Sequence, residues 1–247
     1  MTHYDHDSVV PYASAGGTKK EQVAGMFNRI AFRYDLLNRL LSAGIDVTWR
    51  KKALRQLLPV KPVVMLDVAT GTADMALLAQ NILGPQKIIG IDISEGMLEI
   101  GRQKVHKAGL DSRIELAKGD SEAINYPAET FDAVTVAFGV RNFENLEKGL
   151  YEILRVLKPG GRLVVLEFSR PRSWLFRKFY DLYRETIAPN AGALFSRNKE
   201  AYIYLNKSVT LFPEGPEFIK ILQKTGYTST ALKRLSLGIC TIYCGTK

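Results

Sequence analysis

Val63-Val64-Met65-Leu66-Asp67-Val68-Ala69-Thr70-Gly71-Thr72-Ala73-Asp74 decides how the rest of the chain is read. An apolar run closing in small residues is the pattern of a buried parallel strand that enters a tight turn. Gly71 and its small neighbours let the backbone bend and let a ligand approach without meeting a Cβ atom. Ala73, Ala76, Leu77 and Leu78 then have helical spacing, so a helix follows whose first N–H groups face the turn. A strand–turn–helix of this form suits a ligand. A plain βα connection has the same outline, so the neighbouring strand ends decide between the two readings.

The alternation continues outward from that stretch. Lys87–Asp92 reads as a second strand, with Ser94 capping a helix over Glu95–His106. Arg113–Ala117 is a third strand that ends at Gly119-Asp120, and Phe131–Ala137 is a fourth. A helix over Leu146–Leu157 is broken by Lys158-Pro159-Gly160-Gly161 before a fifth strand, Arg162–Phe168. Regular βαβ alternation predicts an α/β fold, a doubly wound parallel sheet with ligands beyond the carboxyl ends of its strands. Asp92, Asp120 with Ser121, and the residues after Ala137 all fall at those ends. Tyr227–Lys233 and Leu237–Cys244 add a closing antiparallel pair.

Upstream, residues 1–18 read as a flexible leader and residues 19–58 as a helical cap, with Asp46 the expected N-cap of Val47–Leu57. Residues 19–247 then form one domain. Residues 170–212, where aromatic side chains interleave with Arg and Lys, are inserted before the last strands and are expected to cover the site.

Composition narrows the chemistry. The 247 residues carry a formal net charge of +9, which favours anionic partners. The basic residues are scattered, with short pairs such as Lys19–Lys20 and Lys51–Lys52, unlike a nucleic-acid-binding tail. His3 and His6 lie in the leader and His106 in a Lys-rich, solvent-facing helix, so a histidine base is not expected. Cys240 and Cys244 are the two cysteines, too few for a disulfide framework or a Cys-based metal site. No apolar stretch reaches the roughly 18 residues that span a bilayer, and the start has neither the charge nor the apolar region of a targeting peptide. The expectation is a cytoplasmic protein with no metal.

The turn also discriminates between ligands. A dinucleotide fold wants G-x-G-x-x-G, whereas Ala69-Thr70-Gly71-Thr72-Ala73 holds one glycine and suits a pyrophosphate poorly. S-adenosyl-L-methionine asks for less: room at Gly71 and Thr72, an acid for the ribose and a polar group at the adenine edge. Asp92 suits the ribose hydroxyls, and Asp120 with Ser121 suits the adenine. A hydride-transfer enzyme is the alternative.

Two long motifs carry a resemblance. The first is Tyr34-Asp35-Leu36-Leu37-Asn38-Arg39-Leu40-Leu41-Ser42 with Asp46 and Trp49; the second is Arg155-Val156-Leu157-Lys158-Pro159-Gly160-Gly161-Arg162-Leu163 with Glu167-Phe168-Ser169. Phe138-Gly139-Val140-Arg141-Asn142, Lys199-Glu200-Ala201-Tyr202 and Phe212-Pro213 extend it from about residue 19 to the end. With these the chain resembles the quinone-biosynthesis C-methyltransferases of the menaquinone/ubiquinone family. The resemblance implies a class I, Rossmann-like methyltransferase fold with a seven-stranded, mostly parallel sheet and an antiparallel last strand. It also implies transfer of the S-adenosyl-L-methionine methyl to a ring carbon of a polyprenyl quinol, with demethylmenaquinol expected ahead of a benzoquinol. Asp74, Arg141 and Asn142 match the family's catalytic positions, and all three are expected to reach one cavity and hold a water for proton removal. Arg141 would also stabilise oxyanion charge. The family usually has His where Asp46 stands, Met where Leu37 stands, and glycines where Thr70 and Ala73 stand. Position 46 therefore carries no required proton transfer.

An apolar prenyl tail implies transient contact with an anionic membrane surface, at the inner face of the cell membrane; a homodimer is compatible with the chain. Amino-directed nucleic-acid methyltransferases carry an Asn/Asp-Pro-Pro-aromatic stretch after strand four. Here that place reads Ala137-Phe138-Gly139-Val140, so no nucleic-acid partner is expected.

Overall fold

A computed structural model describes residues 4–12, 16–42, 44–171 and 199–247. Helix α1 (Lys19–Leu41) and helix α2 (Ile45–Leu54) precede the sheet. The chain then alternates β1 (Val64–Val68), α3 (Asp74–Leu83), β2 (Lys87–Asp92), α4 (Glu95–Lys107), β3 (Ile114–Lys118), β4 (Phe131–Ala137), α5 (Leu146–Val156) and β5 (Leu157–Phe168). Helices α6 (Lys199–Leu211) and α7 (Pro216–Lys224) lead into β6 (Thr228–Leu235) and β7 (Cys240–Thr246). Most of the insert expected to cover the site, residues 172–198, lies outside the described residues.

The strand order is β3-β2-β1-β4-β5-β7-β6, with β7 antiparallel to both its neighbours and the other adjacent pairs parallel. The expected mostly parallel sheet with an antiparallel last strand is therefore present. Strands β1, β2 and β4 are apolar on both faces because helices cover both. Met65, Ala133 and Val164 pack against α2 and α3, whereas Leu66, Val134 and Val165 pack against α5 and α7. The chain leaves β1 toward β2 and β3, then returns to β4 on the other side. That reversal opens a crevice at the carboxyl ends of β1 and β4, where open α/β sheets bind ligands.

Three local expectations are corrected. Helix α2 begins at Ile45 with Gly44 as N-cap at φ 76°, so Asp46 is not the cap. Gly44 takes that left-handed conformation without steric cost, and the helix starts early. Asp46 is then buried in the first turn, accepting a hydrogen bond from the Ser42 hydroxyl (2.8 Å) and facing Arg50 one turn on. The second correction concerns Lys158–Gly161, which does more than break a helix. Strand β5 already pairs Leu157 with Phe131, and the register resumes at Arg162 opposite Ala133, so four residues bulge from the edge of the pair.

The third concerns the leader, of which residues 4–12 pack against the domain. Tyr4 donates from its hydroxyl to Glu147 (2.7 Å), Val9 joins the α1 core, and His6 is fully buried edge-on to Phe212. The Lys19 ammonium donates to the His6 carbonyl (2.7 Å), and burial brings its pKa down to about 8 against the pull of Asp7, Glu144 and Glu122. Tyr4, Val9 and Tyr12 supply the apolar surface that a polar tail lacks.

At the crevice the tips of β1 and β4 touch: a Cβ added to Gly139 would lie 2.5 Å from the Ala69 Cβ. Gly139→Ala is expected to cost about 1–3 kcal/mol by forcing the tips apart. Urea unfolding measures it; an unchanged midpoint would show that the tips separate freely.

Candidate active site

The turn after β1 is strained and heavily tethered. Ala69 (φ 53°), Gly71 (φ 56°) and Ala73 (φ 64°) all take left-handed conformations, which cost a non-glycine residue roughly 1–2 kcal/mol each. Asp67, buried at the end of β1, holds the turn by accepting from the hydroxyls of Thr70 (2.6 Å) and Thr135 on β4 (2.6 Å). Thr70 N donates to the Ile91 carbonyl and Gly71 N to the Asp92 carboxylate, which ties the turn to β2 as well.

Above this turn lies a cavity open to solvent, with about 670 Å³ of atom-free space counted together with its open mouth. The four strand tips contribute Gly71, Asp92, Asp120 with Ser121, and Asn142; α1 contributes Lys20, Val23, Phe27 and Tyr34. Asp92 accepts from Gly71 N and Ser94 N (2.8 Å each), leaving a second lone pair on each oxygen. Burial pushes its carboxyl pKa up, opposed by those N–H groups. Asp120 accepts from Glu122 N (2.9 Å) and from the Lys20 ammonium (2.5 Å), which also lies 3.4 Å from Glu122. Burial lowers the Lys20 pKa, but the Asp120 hydrogen bond and the two carboxylate charges outweigh it and the net shift is upward. Two carboxylates, Asp92 and Asp120, that line one cavity with the apolar side chains of Val23, Phe27, Ile93 and Met97 fit an adenosyl compound. Gly71 leaves open space where a sulfonium-bearing chain would pass.

The other expected residues do not line that cavity. Ala73 turns the chain so that Asp74 begins α3 and accepts from Lys104 of α4 (2.6 Å). Lys104 also pairs with Asp35 of α1, and the Thr72 hydroxyl donates to Asp35 (2.7 Å). Thr72 and Asp74 thus belong to a cluster that ties α1 to α3 and α4. Arg141 turns inward from the 3-10 turn Val140–Asn142 and is buried, donating to Glu167 (2.6 Å) and the Phe138 carbonyl (2.7 Å). Burial opposes both charges of that pair, and the Glu167 charge keeps the guanidinium pKa raised. The expectation that Asp74, Arg141 and Asn142 share one cavity is corrected: Asn142 alone of the three lines it. Among the described residues no group of His, Cys, Asp and Glu could hold a metal, and both cysteines are free and buried.

Lys20, Glu122 and Tyr204 were not singled out from the sequence. Lys20 looked like ordinary surface charge, and only the docking of α1 across the strand tips brings it to Asp120.

The Asp67 carboxyl, pushed up to about 6 by burial against the pull of Thr135 and Thr70, ordinarily titrates at 3.8. The native state therefore holds this proton more tightly than the unfolded chain. The group's contribution to stability is full below about pH 4 and is lost as pH rises through about 6. Asp67→Asn is expected to flatten the pH dependence of unfolding over that window; a slope identical to wild type would remove the assignment. Lys20→Met is expected to weaken uptake of an adenosyl compound about three- to tenfold and to reduce its salt sensitivity, since the pair is only part-buried. Calorimetry at two salt concentrations reads both effects.

Comparison with known proteins agrees with this geometry. A demethylmenaquinone methyltransferase of Bacteroides fragilis is 44% identical over 245 residues, covering 99% of this chain and all of that one. A ubiquinone/menaquinone biosynthesis C-methyltransferase of Geobacter sulfurreducens is 46% identical over 230 residues, 93% of this chain and 90% of that one. A crystal structure of a Thermotoga maritima SAM-dependent methyltransferase shares the fold at 21% identity, with a TM-score of 0.64 over 90% of this chain and 99% of that one. The model of the ubiE/COQ5 methyltransferase family matches residues 16–247. The chain belongs to that family of S-adenosyl-L-methionine-dependent methyltransferases.

Proposed function

We propose that this chain methylates a ring carbon of demethylmenaquinol, giving menaquinol. The observation that carries the reading is the cavity itself, which Asp92 and Asp120 line together with Phe138, Gly139, Asn142, Phe143 and Glu144. The full-length likeness to the Bacteroides enzyme supports this ring. The name of the Geobacter relative supports a second reading, in which a benzoquinol is also accepted.

Bound S-adenosyl-L-methionine supplies an electrophilic methyl group: the S–CH3 bond breaks as the ring C–CH3 bond forms, S-adenosylhomocysteine leaves, and the ring releases one proton. Asp92 and Asp120 hold the nucleoside, while the turn at Gly71 gives the sulfonium end access to the substrate half. A neutral quinol carbon is a weak nucleophile, so a hydroxyl proton must leave, and Asn142 lies where a ring oxygen would then carry charge. Phe138 and Phe143 exclude water and strengthen that hydrogen bond. Arg141, locked to Glu167, fixes the turn that presents Asn142 and contributes a positive field to the same oxygen. Asp74, which Lys104 holds outside the cavity lining, would reach the leaving proton only through a chain of water, beside its part in the Lys104 cluster.

The membrane contact belongs to the same reading. No helix among the described residues is long and apolar enough to cross a membrane. In this reading the apolar quinol tail is met at the bilayer surface. Phe32, 92% exposed, shares an outer face of α1 with Arg29 and Arg39, and Lys51, Lys52 and Arg55 are exposed on and just after α2. The acids of this region are inward: Asp35 pairs with Lys104 and Asp46 is buried. That face suits anionic head groups.

With isotopically labelled methyl donor, label is expected in demethylmenaquinol and none in RNA; a reduced demethylated benzoquinol tests the second reading. Asp74→Asn is expected to lower turnover far more than donor affinity, and equal losses would leave Asp74 only its structural part. Flotation with anionic vesicles is expected at low salt and lost at high salt; indifference to lipid charge would count against the membrane contact.

A further inference from the structure

Tyr204, on α6, is 2% exposed and donates its hydroxyl proton to the Asn142 Oδ1 at 3.0 Å. Burial holds the phenol well above its ordinary range, with Glu167 adding to the effect and Arg141 opposing it, so the hydroxyl stays a donor. Among the described residues, Asn142 Oδ1 is the acceptor for that proton. Turning the carboxamide round would set its NH2 against the phenol oxygen and leave a buried O–H without an acceptor, which is costly. The Asn142 oxygen is therefore committed to Tyr204. Its nitrogen makes no hydrogen bond to any described residue, while Asn142 lines the cavity.

A carboxamide held this way can give hydrogen bonds to a ligand but cannot take a proton from one. We propose that Tyr204 is a positioning residue for methyl transfer: it locks Asn142 with its NH2 toward the cavity, where it donates to the quinolate oxygen of the ring. This rests on the quinol reading and deepens it, since it separates oxyanion stabilisation, at Asn142, from proton removal, which must lie elsewhere. It also links turnover to the seating of α6, the last part of the insert expected to cover the site. Arg141 and Glu167 lie close enough for their charges to act on the phenol.

Tyr204→Phe keeps the ring and its packing and removes only the O–H. Turnover of demethylmenaquinol is expected to fall about tenfold, with the donor dissociation constant by calorimetry unchanged within about twofold. Asn142→Ala is expected to lose at least as much, and Tyr204→Phe added to Asn142→Ala is expected to cost nothing more. In protein labelled with 15N-asparagine, the Asn142 side-chain NH2 resonance is expected to move in Tyr204→Phe. Wild-type turnover in Tyr204→Phe, or a further tenfold loss in the double variant, overturns the proposal. So does a fall in donor affinity that matches the fall in turnover, because a merely structural role would move both. If the wild-type chain methylates no quinol, the functional reading fails, and the Asn142 resonance still decides separately whether Tyr204 holds the carboxamide.

Discussion

The structure depends on a hydrogen-bonded carboxyl that has no access to water. Asp67 ties the hydroxyl of Thr70, in the turn, to that of Thr135, on the adjacent strand. It thereby holds three left-handed residues where the sheet reverses its direction of winding. Two of those residues are alanines, so the conformation is not one the local chain prefers. Only a buried acceptor with two bound donors, placed by strand pairing, makes the turn a fixed shape. The cavity inherits that shape, because Gly71 and Asp92 are joined through it.

Around this fixed floor the walls are joined by the apolar packing of Val23, Met26 and Ile30 on Met97, Ala201 and Tyr204, and by polar pairs between elements. Lys20 reaches from α1 to Asp120 and Glu122, and Asn28 accepts from Ser94 and Gly96 at the start of α4. Lys104 gathers Asp35 and Asp74. These polar contacts lie partly in solvent and are individually worth little beside that packing. The Arg141–Glu167 pair is different. It is buried on both sides, and removing either partner would strand a charge, which typically costs 3–5 kcal/mol. The turn bearing Asn142 thus rests on a buried pair, whereas the polar contacts at Lys20 lie partly in solvent.

Much of this was legible in the residues. The apolar runs of β1, β2 and β4 announced buried parallel strands, and Ser94 caps α4 as its position foretold, accepting from Met97 N. Asp92, Asp120 and Ser121 came to one cavity because each ends a strand, and strand ends in a parallel sheet lie side by side. The packed leader was missed because His6 and Asp7 look polar, although Tyr4 and Val9 anchor them.

Periodicity and turn chemistry, which are properties of neighbouring residues, determined the strand order's raw material, the single-glycine turn and the acids at the strand tips. The tertiary structure alone decided which polar side chains line the cavity. Asp74, Arg141 and Asn142 all follow strand tips, yet Lys104 draws the first aside, Glu167 draws the second into the core, and the third lines the cavity with its oxygen held by Tyr204. Each of those partners is 26 or more residues away in the chain, so the direction of each side chain depends on contacts that no local pattern encodes.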